Sequence, residues 1–88
     1  MIRKRVVVSG RVQGVFFRDG CRQAAQRHQV AGWVTNRDDG SVEAVFEGDD
    51  TAVGAMIEWV RHGPPRAQVT DVDVTDERPE DLTDFSVR

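Results

Sequence analysis

The spacing of apolar residues switches repeatedly along this chain, and each switch narrows the folds open to it. Val6, Val7 and Val8 form a β-branched run that stops at Ser9-Gly10. Branched side chains suit a pleated backbone, so residues 3–11 are predicted to form a first strand. From Phe17 the repeat lengthens: Phe17, Cys21, Ala24, Ala25 and His28 fall at i, i+4, i+7, i+8 and i+11. That is one stripe of an amphipathic helix over about residues 16–28. The period returns to two in residues 30–36, where Val30, Gly32 and Val34 share one face while Trp33 and Thr35 take the other. Asp38-Asp39-Gly40 is a turn signal, and beyond it Val42, Ala44 and Phe46 alternate with Glu43, Val45 and Glu47 as the second arm of a hairpin.

A second helical stripe, Ala52, Val53, Met56, Ile57, Trp59 and Val60, runs into Gly63-Pro64-Pro65. Those residues cannot continue a helix, which therefore ends near His62. Val69, Val72 and Val74, set among aspartates and threonines, predict a fourth strand, and Phe85 to Arg88 a short last one. The order βαββαβ implies an α+β, ferredoxin-like sandwich, an antiparallel sheet covered on one face by two helices. A chain of 88 residues is expected to make one domain over residues 1–88 with one modest core. In this arrangement the first and second strands run parallel with the third between them. Their C-terminal ends then share one edge of the sheet, roughly 10 Å apart, because neighbouring strands lie about 4.8 Å apart.

Charge and composition remove several functions. Formal net charge is −3, from 12 Lys and Arg against 15 Asp and Glu, the wrong sign for a general nucleic-acid binder. The cluster Arg3, Lys4, Arg5 reads as solvated charge at the start of a strand or on an edge. An RNA-binding domain of the same topology needs exposed aromatic residues on its central strands. The predicted platform carries Val7, Glu43, Val45 and Glu47 and no aromatic ring. No apolar run approaches the roughly 18 residues of a membrane span, and Val6 to Val8 is shorter than the core of about 7 residues or more in an export signal. A single cysteine, Cys21, excludes an intramolecular disulfide, so a cytoplasmic protein with no membrane partner is expected. No CxxC or HExxH spacing occurs, and no metal or cofactor is expected. Cys21 belongs to the apolar stripe, His28 and His62 sit where an imidazole meets a helix C-terminal dipole, and Asp38 and Asp39 are turn residues.

The segment GRVQGVFFRDG, Gly10 to Gly20, places Arg18 in the first turn of a helix. The positive end of the dipole lies there, and a cation costs a few tenths of a kcal/mol up to about 1. A bound anion offsets that cost. The first N–H groups of a helix have no internal partner, and Gly14 can take a positive φ that turns successive amides toward one point. A tetrahedral oxyanion then receives amides on one side and the planar guanidinium fork of Arg18 on the other. Asn36 either caps the hairpin turn or, from the shared edge, faces the loop.

GRVQGVFFR, Gly10 to Arg18, and GWVTNRDDGSVEAVFEG, Gly32 to Gly48, resemble the two signature segments of the acylphosphatase family. The resemblance implies hydrolysis of the carboxyl-phosphate bond of small acyl phosphates to carboxylate and inorganic phosphate, with no metal and no cofactor. It carries the catalytic, phosphate-holding arginine onto Arg18 and the water-orienting asparagine onto Asn36. Phosphate binding falls to the loop of Gln13, Gly14, Val15, Phe16, Phe17 and Arg18. Thr35 departs from the family pattern, where a longer or basic residue is more usual. A monomer whose only partners are acyl phosphate and phosphate is expected. The chemistry also stands on its own: a carboxylate leaves without a proton, so positioning and charge stabilisation suffice. The competing reading is a phosphate-responsive binding or regulatory module on the same fold.

Overall fold

In the computed structural model, which describes residues 1–88, the chain folds as β1 (Ile2–Arg11), α1 (Phe17–His28), β2 (Ala31–Asn36), β3 (Val42–Gly48), α2 (Asp50–His62), β4 (Gln68–Glu77) and β5 (Phe85–Val87). The spatial strand order is β4-β1-β3-β2-β5. β1 pairs antiparallel with β3 and with β4, and β2 pairs antiparallel with β3. The short β5 lies parallel to β2, so the expected antiparallel sheet becomes mixed at this one edge. No helix is long and apolar enough to cross a membrane.

Both helices pack on the face that carries Val6, Val8, Val34, Val42, Ala44 and Phe46. α1 contributes Phe17, Cys21, Ala24 and Ala25, and α2 contributes Val53, Met56 and Val60. His28, at the end of the predicted stripe, is exposed, because α1 stops there and Gln29 turns left-handed, its N–H donating back to the Ala25 and Gln26 carbonyls. Phe17 meets Trp59 edge-to-face at 5.3 Å, and full burial of a side chain such as Phe17 or Met56 contributes about 1.5–3 kcal/mol. β3 passes so close to β2 that a Cβ on Gly32 would lie 1.8 Å from the Val45 carbonyl, and φ there is +139°. Only glycine fits.

The opposite face corrects two expectations. Arg3 is not solvated: it is 5% exposed on a central strand, and Glu47 beside it is 1% exposed. Arg3 Nε donates to Glu77 at 2.9 Å and Nη1 to Glu47 at 3.4 Å. Arg5 on the same face bridges Glu43 and Glu77, whereas Lys4, in phase with Val6 and Val8 on the helix side, pairs with Asp76 at the edge strand. Charges of opposite sign face one another across the β4-β1-β3 register, and this pairing permits burial that isolated charges do not tolerate. The same face does hold an aromatic ring. Trp33 pairs with Val45 across the β2-β3 ladder, with the guanidinium of Arg88 at 4.6 Å and that of Arg5 at 5.8 Å from its centroid.

Glu47 also fastens the segment before β5, accepting the Glu80 N–H at 2.8 Å and the Leu82 N–H at 2.7 Å. Burial works to raise its pKa, but those two N–H bonds and Arg3 outweigh it, and the carboxyl titrates below its ordinary value. A carboxyl with a depressed folded-state pKa stabilises the fold above its unfolded pKa of about 4.3, and that contribution is lost as pH falls through the folded value. Glu47→Gln is therefore expected to lower stability at pH 7 by about 1.5–3 kcal/mol. Thermal melts of the two proteins should begin to draw together as pH falls below about 4.3 and continue to do so as the wild-type carboxylate is protonated. A gap independent of pH would show that the charge of Glu47 is not what matters.

Candidate active site

The loop between β1 and α1 is pulled inward at alternate positions. Val12, Val15 and Phe17 are each 2% exposed or less, whereas Phe16 between them is 73% exposed. Gly14 at φ +74° and Phe16 at φ +65° are both left-handed, a conformation that costs a non-glycine residue roughly 1–2 kcal/mol. The first backbone bond of the helical turn is Gly20 N–H to the Phe16 carbonyl at 3.0 Å, and no N–H from Gln13 to Asp19 donates to a backbone acceptor. Unpaired N–H donors at the positive end of a helix are backbone of the kind that favours anions.

The register brings the second part of the site alongside. Val42 pairs with Val8 on one side and with Asn36 on the other, so the ends of β1 and β2 lie about 10 Å apart across β3. The Gln13 side chain bridges the gap: its Nε2 donates to the Arg37 carbonyl at 2.7 Å and the Ser41 carbonyl at 2.9 Å. The hairpin turn it grips is set by Asp39, which accepts both the hydroxyl and the N–H of Ser41. These bonds hold the Asp39 carboxyl below its usual range, the Ser41 hydroxyl being the larger influence.

Gly14, Phe16, Phe17, Arg18 and Asn36 line one cavity of about 510 Å³. Gln13 and Val15, the other two residues of the predicted binding loop, do not bring side chains into it: Gln13 turns to the hairpin and Val15 to the core. Arg18 Nη1 donates to the main-chain oxygen of Arg88 at 3.0 Å, the one hydrogen bond of its side chain within the protein. Arg88 in turn donates its N–H to the Val34 carbonyl at 2.8 Å.

Sequence reasoning missed Val12, Asp19, Arg22 and Val87, which also line the cavity. Arg22 was legible, since a residue four positions from Arg18 on a helix borders the same surface, and Asp19 only through its i, i+3 relation to Arg22. Val87 carried no local signal, because it reaches the cavity through a strand pairing made far along the chain. The Asp19 carboxylate is engaged by Arg22 Nη2 and Gln23 Nε2, each at 3.1 Å. Cys21 is buried and burial pushes its thiol pKa well up, so it packs as a small apolar residue. His62 pairs with Glu58 on α2 at 3.4 Å. The cavity thus presents main-chain N–H groups, the Arg18 guanidinium, the Asn36 carboxamide and an Arg22–Asp19 ion pair, an arrangement able to accommodate a tetrahedral anion with a polar molecule beside it.

The sequence model of the acylphosphatase family matches residues 4–87. The chain is 56% identical to an acylphosphatase of Gloeobacter violaceus over 86 residues, 98% of this chain and 92% of that one. It is likewise 56% identical to an acylphosphatase of Haloarcula marismortui, over 98% and 94% of the two chains. Its fold superimposes on the crystal structure of acylphosphatase from Bacillus subtilis with a TM-score of 0.96 at 44% identity, over 100% of this chain and 99% of that one.

A Cβ on Gly14 would meet no atom within 4 Å, so the left-handed φ is the only obstacle to a side chain there. Gly14→Val is expected to weaken inorganic phosphate binding about tenfold or more, the equivalent of that backbone penalty, whereas Gly14→Asn should weaken it less than about threefold because asparagine tolerates this region. Calorimetric titration of the two variants distinguishes a conformational requirement from a steric one.

Proposed function

The chain belongs to the acylphosphatase family of hydrolases, and from that premise we infer that it cleaves small acyl phosphates without a metal or cofactor, by attack of water oriented by Asn36 on a phosphoryl group held by Arg18 and loop amides. The reading rests on one observation: Gly14, Phe16, Phe17, Arg18 and Asp19, whose N–H groups have no backbone acceptor, line the same cavity as Asn36. In the reaction the water oxygen bonds to phosphorus, the bond to the acyl oxygen breaks, and the electron pair leaves with the carboxylate. The proton of the water ends on phosphate or in solvent.

Each residue has a distinct task. A loose phosphoryl transition state spreads charge over its equatorial oxygens, where preorganised amides and a guanidinium stabilise it most. With Nη1 on the Arg88 main-chain oxygen, Nε and Nη2 remain to meet two phosphoryl oxygens side by side. The Asn36 carboxamide is neutral and both accepts and donates, so it orients water without removing its proton. No general acid is needed, consistent with the one carboxylate at the cavity, Asp19, being committed to Arg22 and Gln23. We take residues 1–88 to act as one monomeric domain that binds no nucleic acid, since Trp33 on the open face is already covered by Arg88 and Arg5.

Purified protein should hydrolyse an acyl phosphate in the presence of a chelator, with inorganic phosphate as a competitive inhibitor. Activity lost in chelator and restored by magnesium would overturn the reading. Asn36→Ala is expected to lower kcat by about 100-fold or more while inhibition by phosphate stays within about threefold, the signature of a group acting mainly in the transition state. Loss of phosphate inhibition with turnover kept would instead assign Asn36 to the anion site.

Arg18→Lys keeps the charge but not the two parallel N–H bonds. Loss of one preorganised donor costs about 10²–10³ in rate, and loss of the fork at least that. Its kcat/KM should fall within about tenfold of that of Arg18→Ala. A lysine enzyme close to wild type would mean that Arg18 supplies only a positive field.

A further inference from the structure

Phe16 is an unfavourable choice for the fold twice over. Its backbone is left-handed at φ +65°, where glycine or asparagine would serve the loop at lower cost. Its ring is 73% exposed, although the neighbouring Val15 and Phe17 are buried. Neither feature gains stability for the protein alone, so the ring is expected to gain it in a complex. A second apolar side chain lies on the same cavity. Four large apolar residues remain exposed, Met1, Phe16, Val74 and Val87, and two of them, Phe16 and Val87, line this one space. The cavity, at about 510 Å³, is far larger than a phosphoryl group needs and falls in the range of pockets that enclose a small organic ligand. Arg22, the other charged side chain that could reach the acyl part, is engaged with Asp19 at 3.1 Å.

We propose that Phe16 and Val87 form an acyl subsite, so that this enzyme favours acyl phosphates with an extended apolar acyl chain over acetyl phosphate. The proposal rests on the hydrolytic reading above for its substrate class. The left-handed turn at Phe16 then serves two ends: it directs the loop amides toward the phosphoryl group and leaves the ring beside the atoms that the acyl group occupies.

Binding is separated from turnover with methyl-, butyl- and hexylphosphonate, titrated calorimetrically into the wild-type protein. Affinity should rise roughly two- to fourfold for each added methylene until the space is filled, the factor for partial to full burial of a CH₂ group. In parallel, acetyl, butanoyl and hexanoyl phosphate release carboxylates of nearly equal basicity, so differences in kcat/KM among them report the acyl chain. The hexanoyl to acetyl ratio should exceed about tenfold, the product of such increments. Phe16→Asn retains a residue that tolerates the left-handed turn, and should reduce that ratio to below about threefold. Val87→Thr, which keeps the branched shape in β5, should reduce it in the same direction.

A flat phosphonate series would overturn the subsite. So would a hexanoyl to acetyl ratio unaltered in both variants. A larger gain from 3-phosphonopropanoate than from an alkyl chain of equal length would assign the pocket to Arg22 and equally overturn it. A rising phosphonate series in a protein that hydrolyses none of the acyl phosphates would support the subsite and refute the hydrolytic reading.

Discussion

Everything at the cavity depends on β3 lying between β1 and β2 and antiparallel to both. Ala44 pairs with Val6 on one side and Val34 on the other, which forces the two flanking strands to point the same way. Each therefore ends at the same edge of the sheet. β1 hands the chain to the loop and α1, while β2 ends in Asn36, so a helix N-terminus and a carboxamide meet across one central strand. The close approach at Gly32 holds β3 against β2 near the start of that strand. The Gln13 side chain then ties loop to hairpin through two carbonyls, setting their separation more tightly than strand pairing alone.

The two faces of the sheet do different work. On one, the helices bury an apolar core of ordinary composition. On the other, no element supplies apolar cover, and the chain uses complementary charge. Guanidinium groups on β1 meet carboxylates on β3 and β4, and their geometry leaves no buried side-chain donor or acceptor without a partner. The Glu47 carboxylate extends that network to the main chain at Glu80 and Leu82, which leads directly into β5. Through β5 the charged face reaches the site: Arg88 follows the strand, stacks over Trp33 and accepts the Arg18 guanidinium on its main-chain oxygen. A mechanical connection thus runs from a buried carboxylate to the arginine at the cavity.

Periodicity made the strands and helices legible, because burying one stripe of each is a local requirement that shows in local spacing. Phe17, Cys21, Ala24 and Ala25 are buried as their i, i+4, i+7, i+8 pattern demands. Alternation was less informative about the other face. Glu43, Val45 and Glu47 have the pattern of a half-solvated strand, yet Val45 and Glu47 are buried. A period of two says which residues share a face and is silent on whether that face meets water. Likewise Arg3 looked like a solvated charge because its partners, Glu47 and Glu77, lie 44 and 74 residues away in sequence.

What the sequence by itself determined is the element order, the turn at Gly14 and the identity of the polar groups on the loop and the hairpin. These follow from residue types acting on their own backbone: a branched run, a helical stripe, a glycine where φ must be positive, an arginine placed against a helix dipole. Only the tertiary structure decided that Phe16 turns its ring outward, that Gln13 grips the hairpin, that Val87 joins the cavity and that a charge pair can be buried beneath the β5 segment. Each of these depends on contacts between positions far apart in the chain. Such contacts exist only once the strands have chosen their neighbours, and no pattern within one segment encodes that choice.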